Sequence, residues 1–159
     1  MSICYVMVGL PASGKSTRVL EMCAMDSDAY VYSTDNIVED IAKQLGKTYD
    51  EVWADIWLTE AMKNKQNVIW DQTNLGAGKR KGIINRMHKA GYSVECICFL
   101  QPESKEDIDE WNRRLRSRPG KNIPDFIIKN MVKTFVVPAL DEGFDSVLYY
   151  DIHSNVQTI

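Results

Sequence analysis

The sequence has few of the residues that mark zinc proteins and disulfide-rich domains. Its 159 residues include only four cysteines and two histidines. No two cysteines have the C-x-x-C spacing of a zinc site. No apolar run approaches the roughly 20 residues that a membrane helix needs. The sequence therefore lacks the usual signals of a zinc site, a disulfide scaffold or a membrane-spanning helix.

Repeats and low-complexity tracts are also missing from the sequence, and its N-terminus is not expected to be a signal peptide. The apolar start of the chain has no basic segment before it, which a secretory signal peptide would have. Hydrophobic residues make up 45% and charged residues 26% of the chain, as in ordinary globular proteins. We expect one domain over residues 1–159, in the cytoplasm, or in the host cytoplasm if the protein comes from a phage.

Charge is spread unevenly along this chain, whose formal net charge is −3. Residues 1–60 carry four basic and ten acidic side chains, whereas residues 61–121 carry thirteen basic and seven acidic ones. Residues 122–159 are acidic again, with two basic and five acidic side chains. A basic middle segment fits a surface that binds phosphate. It fits a solvated helix face rich in lysine equally well.

Short apolar runs alternate with helical patterns along the sequence. Strands are predicted over residues 3–8, 30–33, 67–71, 92–100 and 146–150. Helices are predicted over residues 14–24, 35–46, 79–90, 104–117 and 125–135, and after a capping box at residues 48–51. This alternation indicates an α/β fold whose parallel sheet has helices on both faces. Cys96 and Cys98 are expected to share one buried face of a strand.

Residues 9–16, GLPASGKS, match the pattern G-x-x-x-x-G-K-[ST] between a predicted strand and a predicted helix. Glycines let the backbone N–H groups surround a phosphate, and the helix N-terminus adds partial positive charge. Lys15 is expected to reach the β- and γ-phosphates, and the Ser16 hydroxyl to bind Mg²⁺. The predicted nucleotide-binding residues of the loop are Gly9, Ala12, Ser13, Gly14, Lys15, Ser16 and Thr17. The alternative interpretation is a plain turn between strand and helix.

Asp35 follows the second predicted strand and Asp71 ends the third, at the edge where α/β sheets bind their ligands. Asp35 is placed to accept the proton of an attacking hydroxyl group. Alternatively, it caps a helix that begins near Asn36. For Asp71 we favour a role in holding Mg²⁺ through water, because a charge that ends an apolar strand is costly to bury unpaired. Alternatively, Asp71 or Asn74 caps the next helix or orders the loop.

An arginine-rich segment follows the fourth predicted strand and its helix. Arg114 and Arg118 are four residues apart and share a helix face if the helix continues that far. An arginine there would offset the charge that develops on a transferring phosphoryl group. We favour a lid over about residues 104–123, in which Arg114 and Arg118 contact the nucleotide and Pro119 ends the helix. The alternative is a solvated basic helix end.

Taken together, these segments resemble the kinase domain of the bacteriophage polynucleotide 5′-hydroxyl kinase family and related small P-loop kinases. The resemblance covers most of the chain, through residues 9–17, 33–36, 71–75 and 114–124. It implies a P-loop NTPase fold of the nucleotide-kinase type, with a five-stranded parallel sheet in the order 2-3-1-4-5 and an arginine-rich lid. It also implies use of ATP, or another nucleoside triphosphate, with Mg²⁺ to phosphorylate the 5′-hydroxyl of DNA or RNA, a reaction of nucleic acid repair.

The resemblance also implies roles for particular residues. Lys15 and Ser16 would contact the triphosphate and the metal, Asp35 would be the base for the hydroxyl, and Arg118 would lie over the γ-phosphate. Lys15, Asp35 and Arg118 are thus the candidate catalytic residues. No aspartate pair lies at a predicted strand end as in the family's phosphatase domain, so no 3′-phosphatase activity is expected.

One departure from the family concerns the residue that binds the phosphate of the acceptor. The family has an arginine three residues after its catalytic aspartate, and this sequence has Val38 there. Lys43 and Arg80 are candidate replacements. The change at Val38 favours an alternative function, the phosphorylation of a small molecule such as a nucleoside, a sugar or an antibiotic.

A non-catalytic nucleotide-binding module is a further alternative, but a pure binding module needs no acceptor base such as Asp35. The tryptophans at positions 53, 57 and 70 are candidates for stacking on nucleic acid bases. Each lies in an apolar pattern, which favours core packing instead.

Overall fold

The structure, a computed structural model, describes residues 1–33, 50–117 and 123–159, and only the backbone of residues 50–54. The strands in these ranges are β1 (Ile3–Val8), β2 (Tyr30–Tyr32), β3 (Val68–Trp70), β4 (Ser93–Phe99), β5 (Ser146–Tyr150) and β6 (Val156–Gln157). The helices are α1 (Lys15–Met25), α2 (Asp50–Lys63), α3 (Ala77–Lys89), α4 (Lys105–Ser117) and α5 (Asp125–Thr134). A 3-10 turn lies at Leu140–Glu142.

The strands form one sheet in the order β2-β3-β1-β4-β5-β6. The first five are parallel to one another, and β6 runs antiparallel to β5. This confirms the predicted parallel sheet and its order 2-3-1-4-5, and it adds a sixth strand that was not predicted. The two residues of β6 are too few for an alternating pattern to show in the sequence.

The central strand β1 carries the core of the protein. Its residues Cys4, Val6, Met7 and Val8 are fully buried, as expected of a parallel strand covered on both faces. Cys96 and Cys98 of β4 pack in the same cluster as Cys4, which confirms their predicted burial. Burial raises the pKa of the Cys98 thiol to about 12, so this thiol stays protonated and acts as an apolar side chain.

The helices largely follow their predicted bounds. The backbone N–H of Asp107 donates to Ser104 Oγ at 3.1 Å, so Ser104 caps α4 as predicted. None of the described helices is both long and apolar enough to cross a membrane. The helix predicted over residues 35–46, and Thr48 of the predicted capping box, lie outside the described residues.

Candidate active site

The loop from Gly9 to Gly14 joins the carboxyl end of β1 to the first turn of α1. Ligands of parallel α/β sheets bind at this edge of the sheet. The Gly9 N–H donates to the Thr73 carbonyl at 3.1 Å, and the Ser13 N–H donates to the Leu10 carbonyl at 3.3 Å. The loop is therefore fixed both to the segment after β3 and to itself.

Both glycines of the motif are required by their surroundings. Gly14 has a φ of 112°, and a Cβ there would lie 3.0 Å from the Phe99 ring. A Cβ on Gly9 would lie 2.9 Å from Ser13 Oγ. Ala12 also has a positive φ, 61°, which costs a residue with a side chain some energy. The loop thus adopts a tight conformation in which both glycines lie close to Phe99 of β4.

The polar groups of this loop fit an anion. Lys15 Nζ donates to the Gly9 carbonyl at 2.8 Å, which places its charge within the loop. Ser13 Oγ is buried without a hydrogen-bond partner among the described residues. The first turn of α1 contains no acidic residue, and Ser16 and Thr17 are exposed there. A triphosphate would find donors and positive charge at this site, and the Ser16 hydroxyl is accessible to a metal ion.

Asp71 follows β3, the strand beside β1, and its backbone N–H donates to the Tyr32 carbonyl at 2.8 Å. It therefore lies at the same edge of the sheet as the loop. The helix α3 begins after Gly76 with no side-chain cap, so neither Asp71 nor Asn74 caps it. Asn74 instead orders the loop, because its buried amide Nδ2 donates to the Met7 carbonyl at 2.8 Å.

Arg80 does not lie where it could hold an acceptor, which corrects one of the candidates for that role. Its side chain is 0% exposed and donates to both carboxylate oxygens of Glu142, at 2.9 and 3.0 Å. Arg80 Nη1 donates to the carbonyls of Asn74 and Leu75. The residue therefore supports the loop after β3 from inside the protein.

The helix α4 lies beside the phosphate-binding loop. Arg114 Nε donates to Glu110 at 3.0 Å, and its Nη1 donates to the Ile152 carbonyl at 2.9 Å. Hydrogen bonds from Arg113 and Arg114 lower the pKa of Glu110 to about 2. These bonds fix Arg114 in place, so reaching a nucleotide would require rearrangement of this pair.

A contact that sequence reasoning missed joins this helix to the loop. Trp111 is buried, and its indole Nε1 donates to the Pro11 carbonyl at 2.7 Å. The signal in the sequence was the apolar set of Ile108, Trp111 and Leu115, at helical spacing on a mostly polar helix.

The candidate tryptophans for base stacking differ in exposure. Trp70 is buried and packs on Tyr32 with ring centroids 4.4 Å apart, as its apolar pattern predicted. Trp57 is 49% exposed, so the core packing expected for it is wrong. The side chain of Trp53 lies outside the described residues.

Several predicted site residues lie outside the described residues, namely Asp35, Val38, Lys43 and Arg118, and with them residues 118–122 of the predicted lid. Ser33 is buried just past the end of β2, at the carboxyl edge of the sheet. Asp35 follows it by two residues in the sequence. Among the described residues, no three His, Cys, Asp or Glu side chains are grouped so that they could hold a metal ion.

Comparison with known proteins identifies the family. A family model described as "AAA domain" matches residues 5–138. The bifunctional polynucleotide phosphatase/kinase of Schizosaccharomyces pombe is 26% identical over 144 residues, which cover 89% of this chain and 32% of that protein. The L-seryl-tRNA(Sec) kinase of Methanococcus maripaludis is 28% identical over 150 residues, which cover 88% of this chain and 55% of that protein. The chain thus spans about a third and about half of the length of these curated relatives.

A solved structure has the same fold. Kti12 from Chaetomium thermophilum, in complex with ADP-AlF3, superposes with a TM-score of 0.63 at 21% identity. The match covers 93% of this chain and 88% of that one. The loop sequence and geometry agree with the family that the match over residues 5–138 indicates. The chain therefore belongs to the AAA-domain family of P-loop kinases.

Proposed function

We propose that this chain is an ATP- and Mg²⁺-dependent kinase that phosphorylates the 5′-hydroxyl of a polynucleotide. The observation that carries the proposal is the loop at the carboxyl end of β1. There, the Lys15 ammonium and the unpartnered Ser13 hydroxyl lie at the uncapped N-terminus of α1. Such a loop suits the phosphates of a nucleoside triphosphate. The polynucleotide kinase among the relatives supports the choice of acceptor.

In this proposal the loop holds the triphosphate. The N–H groups of Ala12, Gly14, Lys15 and Ser16 and the Lys15 ammonium bind the β- and γ-phosphates. Ser16 would hold Mg²⁺ through its hydroxyl, and Asp71 would hold it through water. The metal, when bound, neutralises charge on the phosphate oxygens.

Transfer then needs a base and a cation near the γ-phosphate. Asp35 accepts the proton of the 5′-hydroxyl while that oxygen bonds to the γ-phosphorus and the bond to ADP breaks. Arg118, and Arg114 after release from Glu110, offset the charge on the transferring group.

The surface of α3 supports a polynucleotide acceptor. This helix contains no acidic residue, and Lys79, Lys81, Arg86 and Lys89 are exposed on it. Arg86 forms an ion pair with Asp55, and the two side chains are 40% and 58% exposed. Such an exposed pair is weak because water screens it. Exposed cations on a helix that begins near the carboxyl edge of the sheet suit a phosphate backbone.

A second candidate function is phosphorylation of a hydroxyl on another acceptor. Val38 stands where the polynucleotide kinases have the arginine that holds an acceptor phosphate. A nucleoside, a sugar or an antibiotic would not need an arginine at this position. One of the relatives is named as a seryl-tRNA kinase, which adds an aminoacyl-tRNA hydroxyl to the alternatives.

The test is transfer from γ-labelled ATP with Mg²⁺ to a panel of acceptors. The panel contains a 5′-hydroxyl oligonucleotide, the same oligonucleotide with a 5′-phosphate, a nucleoside, a sugar mixture and seryl-tRNA. We expect label on the 5′-hydroxyl oligonucleotide alone, and none with a Lys15→Met variant. Label only on another acceptor would support the second function. ATP binding without transfer to any acceptor would support a non-catalytic module.

A further inference from the structure

Helix α4 presents one face to the phosphate-binding loop and to the turn between β5 and β6. Asp107 Oδ1 lies 2.8 Å from His153 Nε2, and Arg114 Nη1 donates to the Ile152 carbonyl at 2.9 Å. Trp111 lies between these two contacts on the same face, because residues three and four apart share a side of a helix. The helix is therefore held on both sides of Trp111.

The indole of Trp111 reaches the loop itself. Its Nε1–H donates to the Pro11 carbonyl at 2.7 Å, and both residues are buried. The ring packs in a small cluster with Leu10, Leu75 and Ile152. A buried carbonyl needs a donor, and a residue outside the loop supplies it here.

This hydrogen bond fixes the direction of one loop peptide. The Pro11–Ala12 peptide is trans. In a planar trans peptide the N–H points opposite to the carbonyl. Because the Pro11 carbonyl points at α4, the Ala12 N–H points away from α4.

The neighbouring carbonyls of the loop are held by donors close to them in sequence. The Gly9 carbonyl accepts from Lys15 Nζ at 2.8 Å, and the Leu10 carbonyl accepts from the Ser13 N–H at 3.3 Å. Pro11 differs in that its donor lies 100 positions away in sequence, on α4. The loop conformation therefore depends at this one peptide on where α4 lies.

We propose that Trp111 is a positioning residue for nucleotide binding, which holds the Pro11–Ala12 peptide so that the Ala12 N–H faces the β-phosphate. The inference rests on the proposed role of the loop and adds a residue from α4 to it. Without the indole donor, the peptide can turn. Turning also relieves Ala12 of its φ of 61°, a conformation that alanine adopts at a cost.

The test is the affinity of a Trp111→Phe variant for Mg-ADP and for AMP, measured by calorimetry. Phenylalanine keeps a ring in the cluster but has no donor. We expect the dissociation constant for ADP to rise about tenfold, as for the loss of one donor to a buried carbonyl. The constant for AMP, which has no β-phosphate, should change less than about twofold. Equal effects on both nucleotides, or none, would overturn the proposal.

A matched control separates positioning from packing. Leu115 packs in the same cluster but makes no hydrogen bond to the loop. Leu115→Ala should lower the Tm at least as much as Trp111→Phe does, yet leave the ratio of ADP to AMP affinity unchanged. A change of that ratio in Leu115→Ala would mean that cluster packing, and not the indole donor, sets the loop.

A measurement on the unaltered protein covers the case in which Trp111→Phe fails to fold. With ¹⁵N-labelled tryptophan, the Trp111 indole N–H should exchange with solvent at least about a hundredfold more slowly than that of the exposed Trp57. Its resonance should also shift when Mg-ADP binds. Rapid exchange, or a resonance that ADP leaves unmoved, would overturn the proposal.

The two proposals fail in different ways. If the wild-type protein does not bind ADP, the proposed function fails and the inference fails with it. If the wild-type protein binds ADP and Trp111→Phe binds it with the same affinity, only the inference about Trp111 fails.

Discussion

The buried Arg80 and the partly buried Glu142 form an ion pair across 62 positions of sequence, with two hydrogen bonds of 2.9 and 3.0 Å. The pair joins the start of α3 to the 3-10 turn before β5. The same arginine also holds the Asn74 carbonyl, and the Asn74 amide holds the end of β1 at Met7. A chain of hydrogen bonds therefore runs from the 3-10 turn to the strand that carries the phosphate-binding loop.

Removing one partner of this pair should cost much stability. Arg80→Ala removes two hydrogen bonds to Glu142 and one each to the Asn74 and Leu75 carbonyls. Glu142 keeps the Ala139 N–H as a donor and is partly exposed. We therefore expect a loss of about 3 kcal/mol in the free energy of unfolding, the lower end for breaking a buried pair. Urea unfolding measures this loss. Arg86→Ala is the matched control, because its pair with Asp55 is exposed and should contribute less than about 1 kcal/mol. Equal losses in the two variants would contradict the account.

Replacement by alanine should have opposite effects on stability at a loop glycine and at a helix glycine. Gly14→Ala should lower stability by about 1–3 kcal/mol and weaken ADP binding, because its φ is 112° and a Cβ would lie 3.0 Å from Phe99. Gly78 lies in α3, and a Cβ added there would have no atom within 4 Å. Gly78→Ala should raise stability by about 0.5–1 kcal/mol. Thermal unfolding with and without ADP measures both changes. If Gly14→Ala had the stability and the ADP affinity of the wild type, the loop would not be held as described.

Glu110 predicts a pH dependence of stability. Hydrogen bonds from Arg113 and Arg114 lower its pKa from 4.5 to about 2. A carboxyl whose pKa is lowered by folding contributes stability that is fully present above its unfolded pKa. That contribution is lost as the pH falls from about 4.5 towards 2.

The matched variant for this prediction is Glu110→Gln. Its Tm should fall less than that of the wild type between pH 5 and pH 2, and thermal unfolding across that range measures the difference. Parallel curves for the two proteins would contradict the predicted contribution of Glu110.

Asp35→Asn should separate the two roles considered for Asp35. If Asp35 is the acceptor base, the substitution should abolish transfer. The affinity for ADP should stay within about twofold of the wild type, because the loop still holds the phosphates. Calorimetry and the transfer assay together decide this. Weak ADP binding with a lowered Tm would instead indicate that Asp35 mainly caps a helix.

Local patterns predicted most of the fold. The apolar run of β1, the motif from Gly9 to Ser16 and the cap at Ser104 each depend on residues close in sequence, so their positions were correct. The order of the five parallel strands came from the family resemblance and is confirmed. The two-residue strand β6 was missed because it is too short to show a pattern.

Long-range partners were not predictable from the sequence. The sequence makes Arg80 a candidate for holding the acceptor, because nothing near it in sequence shows that Glu142 lies beside it. The hydrogen bond from Trp111 to Pro11 spans 100 positions and leaves no local pattern. Apolar residues at helical spacing around Trp57 predict a core position, yet Trp57 is exposed. The spacing does not show which face of the helix meets the sheet.

The central claim is that the chain transfers the γ-phosphate of ATP to the 5′ end of a polynucleotide. The most direct measurement is the position of the label after reaction of a 5′-hydroxyl oligonucleotide with γ-labelled ATP and Mg²⁺. Digestion to 5′-mononucleotides should place all label on the 5′-terminal nucleotide, and the Lys15→Met protein should leave none. Label elsewhere in the oligonucleotide, or no label beside efficient phosphorylation of a small acceptor, would contradict the claim.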